Sequence, residues 1–143
     1  MKVCTYQGLL VAVLTRNEHC PPHVHVGSAD WDARFEFSFW HDGVRLWDVV
    51  PVKNTPSVAL LEGLRQTLKK PENLRRARTC WWQSFHAVCL VNQMWDVQAQ
   101  EVVSPQEKLS GALLIQTAVF DALRYQTVLQ LKQSGSRPVE IQL

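Results

Sequence analysis

Hydrophobic and polar positions follow two different periods along this chain. Gly8 to Thr15 is apolar on both faces, with Leu9, Val11 and Val13 set against Leu10, Ala12 and Leu14. That pattern predicts a central strand covered on two sides. A polar loop from Arg16 ends in Pro21-Pro22, and proline pushes the residue before it toward extended geometry. From His23 to Val26 the chain alternates, with His23 and His25 on one face and Val24 and Val26 on the other. Ala33 to Trp40 alternates again: Phe35, Phe37 and Phe39 point one way, Arg34, Glu36 and Ser38 the other. Asp42-Gly43 is a hairpin turn signal, and Val44 to Val50 reads as the return strand, with Val44, Leu46 and Val50 on one face and Asp48 among them. The first fifty residues predict an antiparallel meander of about four strands.

The period then changes. Thr55-Pro56-Ser57 opens a helix carrying Leu60, Leu61, Leu64 and Leu68, and Pro71 closes it. A second helix is predicted from about Glu72 to Cys89, with Leu74, Ala77, Trp81, Phe85 and Val88 on one stripe. Two helices packed on one face of a meander make an α+β fold. Beyond it the pattern is weaker. Met94 to Val103 reads as an edge strand, and Ser104-Pro105-Gln106-Glu107 fits a capping box that would start a helix. Leu113 to Leu123 is apolar on too many faces for periodicity to separate helix from strand. Tyr125 to Gln133 and Val139 to Leu143 alternate around Ser134-Gly135-Ser136, which predicts a terminal β-hairpin. The expected organisation is an α+β domain over residues 1–89 and a C-terminal extension over 90–143 packed on it. An exposed strand edge in that hairpin would suit a homodimer arm.

Composition narrows the class. The 143 residues are 46% hydrophobic and 20% charged, with a formal net charge of +2, ordinary for one folded domain with an extension. The longest apolar run, Leu9 to Leu14, is far short of the ~20 residues of a membrane-spanning helix. It is also followed by Arg16, Asn17 and Glu18 without a small-residue cleavage site, so no signal peptide and no membrane partner are expected. Cys4, Cys20, Cys80 and Cys89 form no Cys-x-x-Cys pair, and reduced thiols in a cytoplasmic protein are the simpler expectation.

The densest chemistry lies in His19-Cys20-Pro21-Pro22-His23-Val24-His25. Imidazoles at i and i+2 of a strand project from one face, with bases about 7 Å apart, and can converge on one ion. His19 lies four residues back across a stiff proline turn. Three imidazoles with an open position are a catalytic, zinc-like ligand set, with Cys20 as an alternative soft ligand. Glu18, Asp30 and Asp32 are near enough in sequence to orient those ligands or act as a base. The plainer reading has these histidines lining a polar face or binding substrate without metal. His86 and Cys89, one helical turn apart, could join the cluster, although interior positions beside Trp82 suit them better.

Charge is uneven along the chain. Arg65, Lys69, Lys70, Arg75, Arg76 and Arg78 against Glu72 give +5 over residues 65–78, leaving −3 over the other 129. Such a stretch at a helix junction can contact nucleic-acid phosphates, with Trp81 or Trp82 stacking on a base. The competing reading is a solvated helix face, with Trp81 in the core.

The run Glu18-His19-Cys20-Pro21-Pro22-His23-Val24-His25-Val26, followed by Ala33-Arg34-Phe35, resembles a bacterial family called domain of unknown function 4160. Its members carry a His-x-Pro-Pro-His-x-His core. The likeness covers roughly residues 1–86, with His19, Pro21, Pro22, His23 and His25 at the matched positions, and Cys20 where the family often has asparagine. It implies a small cytoplasmic bacterial protein without an established activity, often encoded beside a second small protein in a toxin–antitoxin-like pair.

Two functions follow. In the first, the chain is the interaction or regulatory half of such a pair, using Trp40 or Trp47 and the terminal hairpin to bind another small protein. In the second it is a metal-dependent hydrolase or nuclease built on His19, His23 and His25. The first asks less of the sequence and is placed ahead. No serine nucleophile constellation, phosphate-binding glycine loop or dinucleotide fingerprint is visible.

Overall fold

A computed structural model describes residues 1–106, 111–133, 135 and 137–143. Among the described residues the fold is α+β, with two α-helices and two antiparallel five-stranded sheets. The chain divides into two compact units, Met1–His86 and Ala87–Leu143.

The first unit holds β1 (Lys2–Tyr6), β2 (Leu9–Ala12), β3 (His23–Gly27), β4 (Asp32–Glu36) and β5 (Arg45–Val50), hydrogen-bonded in chain order. This is the predicted meander with one more strand. The strand missed is β1, whose short Lys-Val-Cys-Thr-Tyr run has only one strongly apolar residue, Val3, pointing inward and fully buried. Cross-strand partners share a face, so the register sorts the side chains into rows. Val11, Val26, Ala33 and Val49 form one row, with Val24, Phe35 and Leu46 beside it. The opposite face carries Ala12, His25, Arg34 and Asp48 in one row and His23, Glu36 and Arg45 in the next.

Two expectations about these strands are corrected. Leu9 to Leu14 is not covered on both sides, because Leu10 and Leu14 are about half exposed. The alternation read through Val44, Leu46 and Val50 breaks at a register shift: Arg34 pairs with Asp48 but Phe35 pairs with Leu46, so Trp47 is the extra residue of a bulge. Val49 is consequently buried and Val50 exposed, and Asp48 joins the polar face.

Helix α1 (Val58–Lys69) starts where the serine predicts. Ser57 Oγ accepts from the Leu60 N–H at 3.1 Å, and Leu61, Leu64 and Leu68 are buried. Pro71 ends α1 by opening α2 (Pro71–Phe85), as proline at a first helical position does. Helix α2 stops short of the predicted Cys89 because His86 adopts the left-handed conformation at φ 49°. Gly63 lets α1 approach β1, since a Cβ there would lie 2.1 Å from Tyr6 Oη. From α2, Arg78 reaches the turn between β4 and β5. It is 1% exposed and donates from Nε to the Ser38 carbonyl (2.8 Å) and from Nη2 to the His41 carbonyl (2.8 Å) and Asp42 Oδ1 (3.0 Å).

The second unit contains β6 (Met94–Asp96), β7 (Glu101–Val103), β8 (Ala112–Asp121), β9 (Gln126–Leu131) and β10 (Val139–Gln142), in the order β10-β9-β8-β6-β7. Trp95, Ile115, Phe120, Leu129 and Leu131 form its buried side. The ambiguous run from Leu113 is strand, and β9 pairs with β10 as the predicted terminal hairpin. Its turn residues Ser134 and Ser136, like Glu107 of the expected capping box, lie outside the described residues. Ser104, Pro105 and Gln106 are not helical.

Cysteine usage also differs from expectation. Cys4 and Cys80 are free thiols, but Cys20 and Cys89 are each disulfide-bonded. The expectation of four reduced thiols is corrected, because two of the four are oxidised. Among the described residues no helix is long and apolar enough to cross a membrane.

Candidate metal centre

Strand periodicity puts His23 and His25 on the same face of β3, and the loop from β2 brings a carboxylate over them. Asn17 takes the left-handed conformation (φ 58°), which asparagine tolerates better than most residues, and the chain turns there so that Glu18 reaches back to the strand. Glu18 Oε2 lies 2.6 Å from His23 Nε2, and Glu18 Oε1 lies 3.2 Å from His25 Nε2. The three donor atoms fall within 4.8 Å of one another.

The other nitrogen of each ring is already engaged. His23 Nδ1 stands 2.8 Å from the Pro21 carbonyl, which can only accept, so Nδ1 carries a proton. His25 Nδ1 lies 3.2 Å from Asp32 Oδ2. Such contacts fix the tautomer and leave Nε2 as the coordinating atom, the usual outer support of a metal-bound histidine. His25 Nε2 is buried and has no partner of hydrogen-bonding geometry. Buried polar atoms are rarely left so, because the desolvation cost is not recovered.

The surroundings are dry on one side and charged on the other. His23 is 1% exposed, with the rings of Trp47, His25 and Trp81 at 5.1, 5.2 and 5.3 Å. Beside His25 in the polar row, Arg34 forms a two-pronged ion pair with Asp48: Nε donates to Oδ1 at 2.8 Å and Nη2 to Oδ2. Hydrogen bonding to that guanidinium, more than its charge, holds the Asp48 carboxyl below the usual carboxylate range. The Arg34 guanidinium also lies 4.0 Å from the centre of the Trp47 ring, a cation–π contact.

The donor set fits a divalent ion. Two imidazole nitrogens and one carboxylate suit borderline metals such as zinc, cobalt, nickel or iron(II). Donors each about 2.0–2.1 Å from one ion sit about 2.9 Å apart at a right angle and about 3.4 Å apart in a tetrahedron. The Glu18–His25 separation of 3.2 Å lies in that window. The Glu18–His23 separation of 2.6 Å is shorter than that window and is the length of a short hydrogen bond.

The residues singled out from sequence divide clearly. His23 and His25 come together, and Asp32 stands behind His25 as an orienting carboxylate. Glu18, expected in the outer role, faces both rings directly. His19 is exposed and outside the cluster. Asp30 is exposed, its amide accepted by Ser28 Oγ. Cys20 is disulfide-bonded and offers no thiolate. His86 is an exposed helix cap, its ring 5.6 Å from that of Trp82.

The basic stretch is broken up as well. Arg78 is the buried clamp on the β4–β5 turn. Arg65 is paired with Glu62 at 2.7 Å and donates to the Val44 carbonyl. Lys69, Lys70, Arg75 and Arg76 are exposed, although Arg76 also donates to the Val3 carbonyl at 3.0 Å. Trp81 is core at 1% exposure. Sequence reading missed Arg34, which periodicity alone marks as a solvent-facing charge, and named Trp47 only as an aromatic for binding another protein.

No family model matches this chain, and neither does any curated protein or solved structure.

Proposed function

We propose that this protein binds one divalent transition-metal ion through Glu18, His23 and His25 and uses it for hydrolytic chemistry. The observation that carries the reading is the shared direction of the two imidazoles. Each has Nδ1 against an oxygen acceptor and Nε2 against the same carboxylate, and His25 Nε2 is buried without a hydrogen bond. An ion bound by three protein ligands keeps positions for water or substrate and acidifies the water it holds.

The chain's own residues would serve that chemistry in distinct ways. The Pro21 carbonyl and Asp32 hold the two rings in the coordinating tautomer. Trp47 and Trp81 exclude water from the His23 side, which strengthens electrostatic interactions at the site. Glu18 brings the negative charge that a dication requires. We place this reading ahead of the interaction module because Glu18, His23 and His25 are arranged about one point.

The test uses protein purified without a polyhistidine tag, cleared with chelator and titrated with Zn²⁺ or Co²⁺. One equivalent should bind, and at a hundred times the dissociation constant it should raise stability by about 2.7 kcal/mol. His25→Ala should remove both effects, while His19→Ala should leave them intact. Uptake below a tenth of an equivalent, or equal uptake by His25→Ala, would end the proposal.

A further inference from the structure

The arginine beside the proposed metal centre has hydrogen-bonding capacity that the protein does not use. A guanidinium carries five N–H groups. In Arg34 the Nε–H and one Nη2–H point at Asp48, and no described residue accepts from Nη1. Two N–H groups on Nη1 and one on Nη2 are therefore left, and together they form a second fork at the outer end of the group. The side chain is 30% exposed, so that fork is within reach of a solute.

Its position and rigidity are what separate Arg34 from an ordinary surface arginine. It is the direct cross-strand partner of His25, which places their side-chain bases about 4.5–5.5 Å apart on one sheet face. Asp48 holds one edge of the guanidinium and the Trp47 ring covers one of its faces, so its orientation is set before anything binds. Little ordering remains to oppose binding, which is how a preformed site gains affinity. A planar fork of N–H donors matches the oxygen pair of a carboxylate or phosphate better than any other common group. Three carboxylates act on this guanidinium, Asp48 by pairing and Glu18 and Asp32 by charge, so the free fork would hold an oxyanion through directed hydrogen bonds beside a bound dication and not through net positive charge.

We infer that Arg34 anchors an oxyanion, a phosphate or carboxylate group of the substrate, next to the metal held by Glu18, His23 and His25. The inference rests on the metal-binding reading above and gives that site a substrate class. Asp48 and Trp47 act as positioning residues, because they touch the arginine and not the ligand.

The experiment takes Co²⁺-loaded protein and adds inorganic phosphate in one arm and acetate in the other, reading the visible cobalt spectrum and the heat of binding. A response in one arm identifies which oxyanion the site prefers. Arg34→Gln should retain one equivalent of cobalt and bind that anion at least tenfold more weakly. Arg34→Lys, which keeps the charge but loses the fork, should fall between the two. Circular dichroism of each variant establishes that it is folded. Unchanged anion affinity in Arg34→Gln overturns the inference, and so does loss of cobalt from both variants, which would make Arg34 a support of the metal ligands. If the wild-type protein takes up cobalt but responds to neither anion, this inference fails while the metal reading stands. If it takes up no metal, both fall.

Discussion

Replacing Arg78 with methionine should cost the Met1–His86 unit more stability than any single surface change. The guanidinium is 1% exposed and donates to the carbonyls of Ser38 and His41 and to Asp42 Oδ1. Hydrogen bonds from a charged donor are worth about 1.5–3 kcal/mol each, so the three sum to about 4.5–9 kcal/mol. Against that stands the desolvation of the guanidinium, several kcal/mol, which methionine does not incur. Methionine fills much of the stem volume but leaves two turn carbonyls without their donor. Each orphaned carbonyl costs about 1–3 kcal/mol, and with the lost contact to Asp42 the net expectation is a loss of about 3–5 kcal/mol. Urea unfolding followed by tryptophan fluorescence measures it. With a slope of about 1.5 kcal/mol per molar, the midpoint should fall by about 2–3 M. Asp42 is the comparison: its side chain is 69% exposed, and Asp42→Asn, which keeps an oxygen acceptor for the guanidinium, should cost only about 1–2 kcal/mol. A loss below about 1 kcal/mol in Arg78→Met, or equal losses in the two variants, would refute the assignment of Arg78 as a clamp on the turn carbonyls.

Two further outcomes can be checked on the same unit. Gly63→Ala should destabilise by about 1–3 kcal/mol despite alanine's better helix propensity, because its Cβ would meet the Tyr6 hydroxyl at 2.1 Å. In Tyr6→Ala the same substitution should be neutral or favourable, and a double-mutant cycle reads the difference. The Arg34–Asp48 pair makes stability depend on pH with a definite sign. The folded Asp48 carboxyl titrates below its ordinary 3.8, so its contribution is complete above that value and is lost as pH falls through the lower folded one. Denaturation from pH 5 to pH 2 should show that loss in the wild type, and Arg34→Gln should flatten it.

How far the sequence was readable depends on whether a property lies in local spacing. The period of two placed His23 and His25 on one face, the Ser57 cap started α1, and the alternation after Gln126 gave the terminal hairpin. Glu18 was harder to place because a loop has no period, and His19 lies just as near to His23 in sequence. Only the turn at Asn17 decides which of the two faces the strand. Arg78 was counted with a basic stretch because charge along a chain carries no record of burial, and one of the six basic residues in that stretch points inward. The return strand misled for another reason. A bulge adds one residue to a strand and reverses the facing of everything beyond it, and nothing in Leu46-Trp47-Asp48 announces the extra residue. Leu113 to Leu123 was ambiguous since strand and helix can both bury a long apolar run.

The two faces of β3 carry one further consequence. Val24 and Val26 lie in the hydrophobic rows while His23 and His25 face the carboxylate, so adjacent letters of one five-residue strand answer to different demands. In a library of all single substitutions, tolerance along this segment would alternate with a period of two. Valine positions would accept other aliphatic residues and reject polar ones by loss of soluble protein. On the proposed function, substitutions at the half-buried His25 would yield folded protein that takes up no ion, whereas His23, 1% exposed between Trp47 and Trp81, would answer to packing as well. A short stretch of sequence would then report folding at Val24 and Val26 and the proposed chemistry at His25, each serving as the internal control for its neighbour.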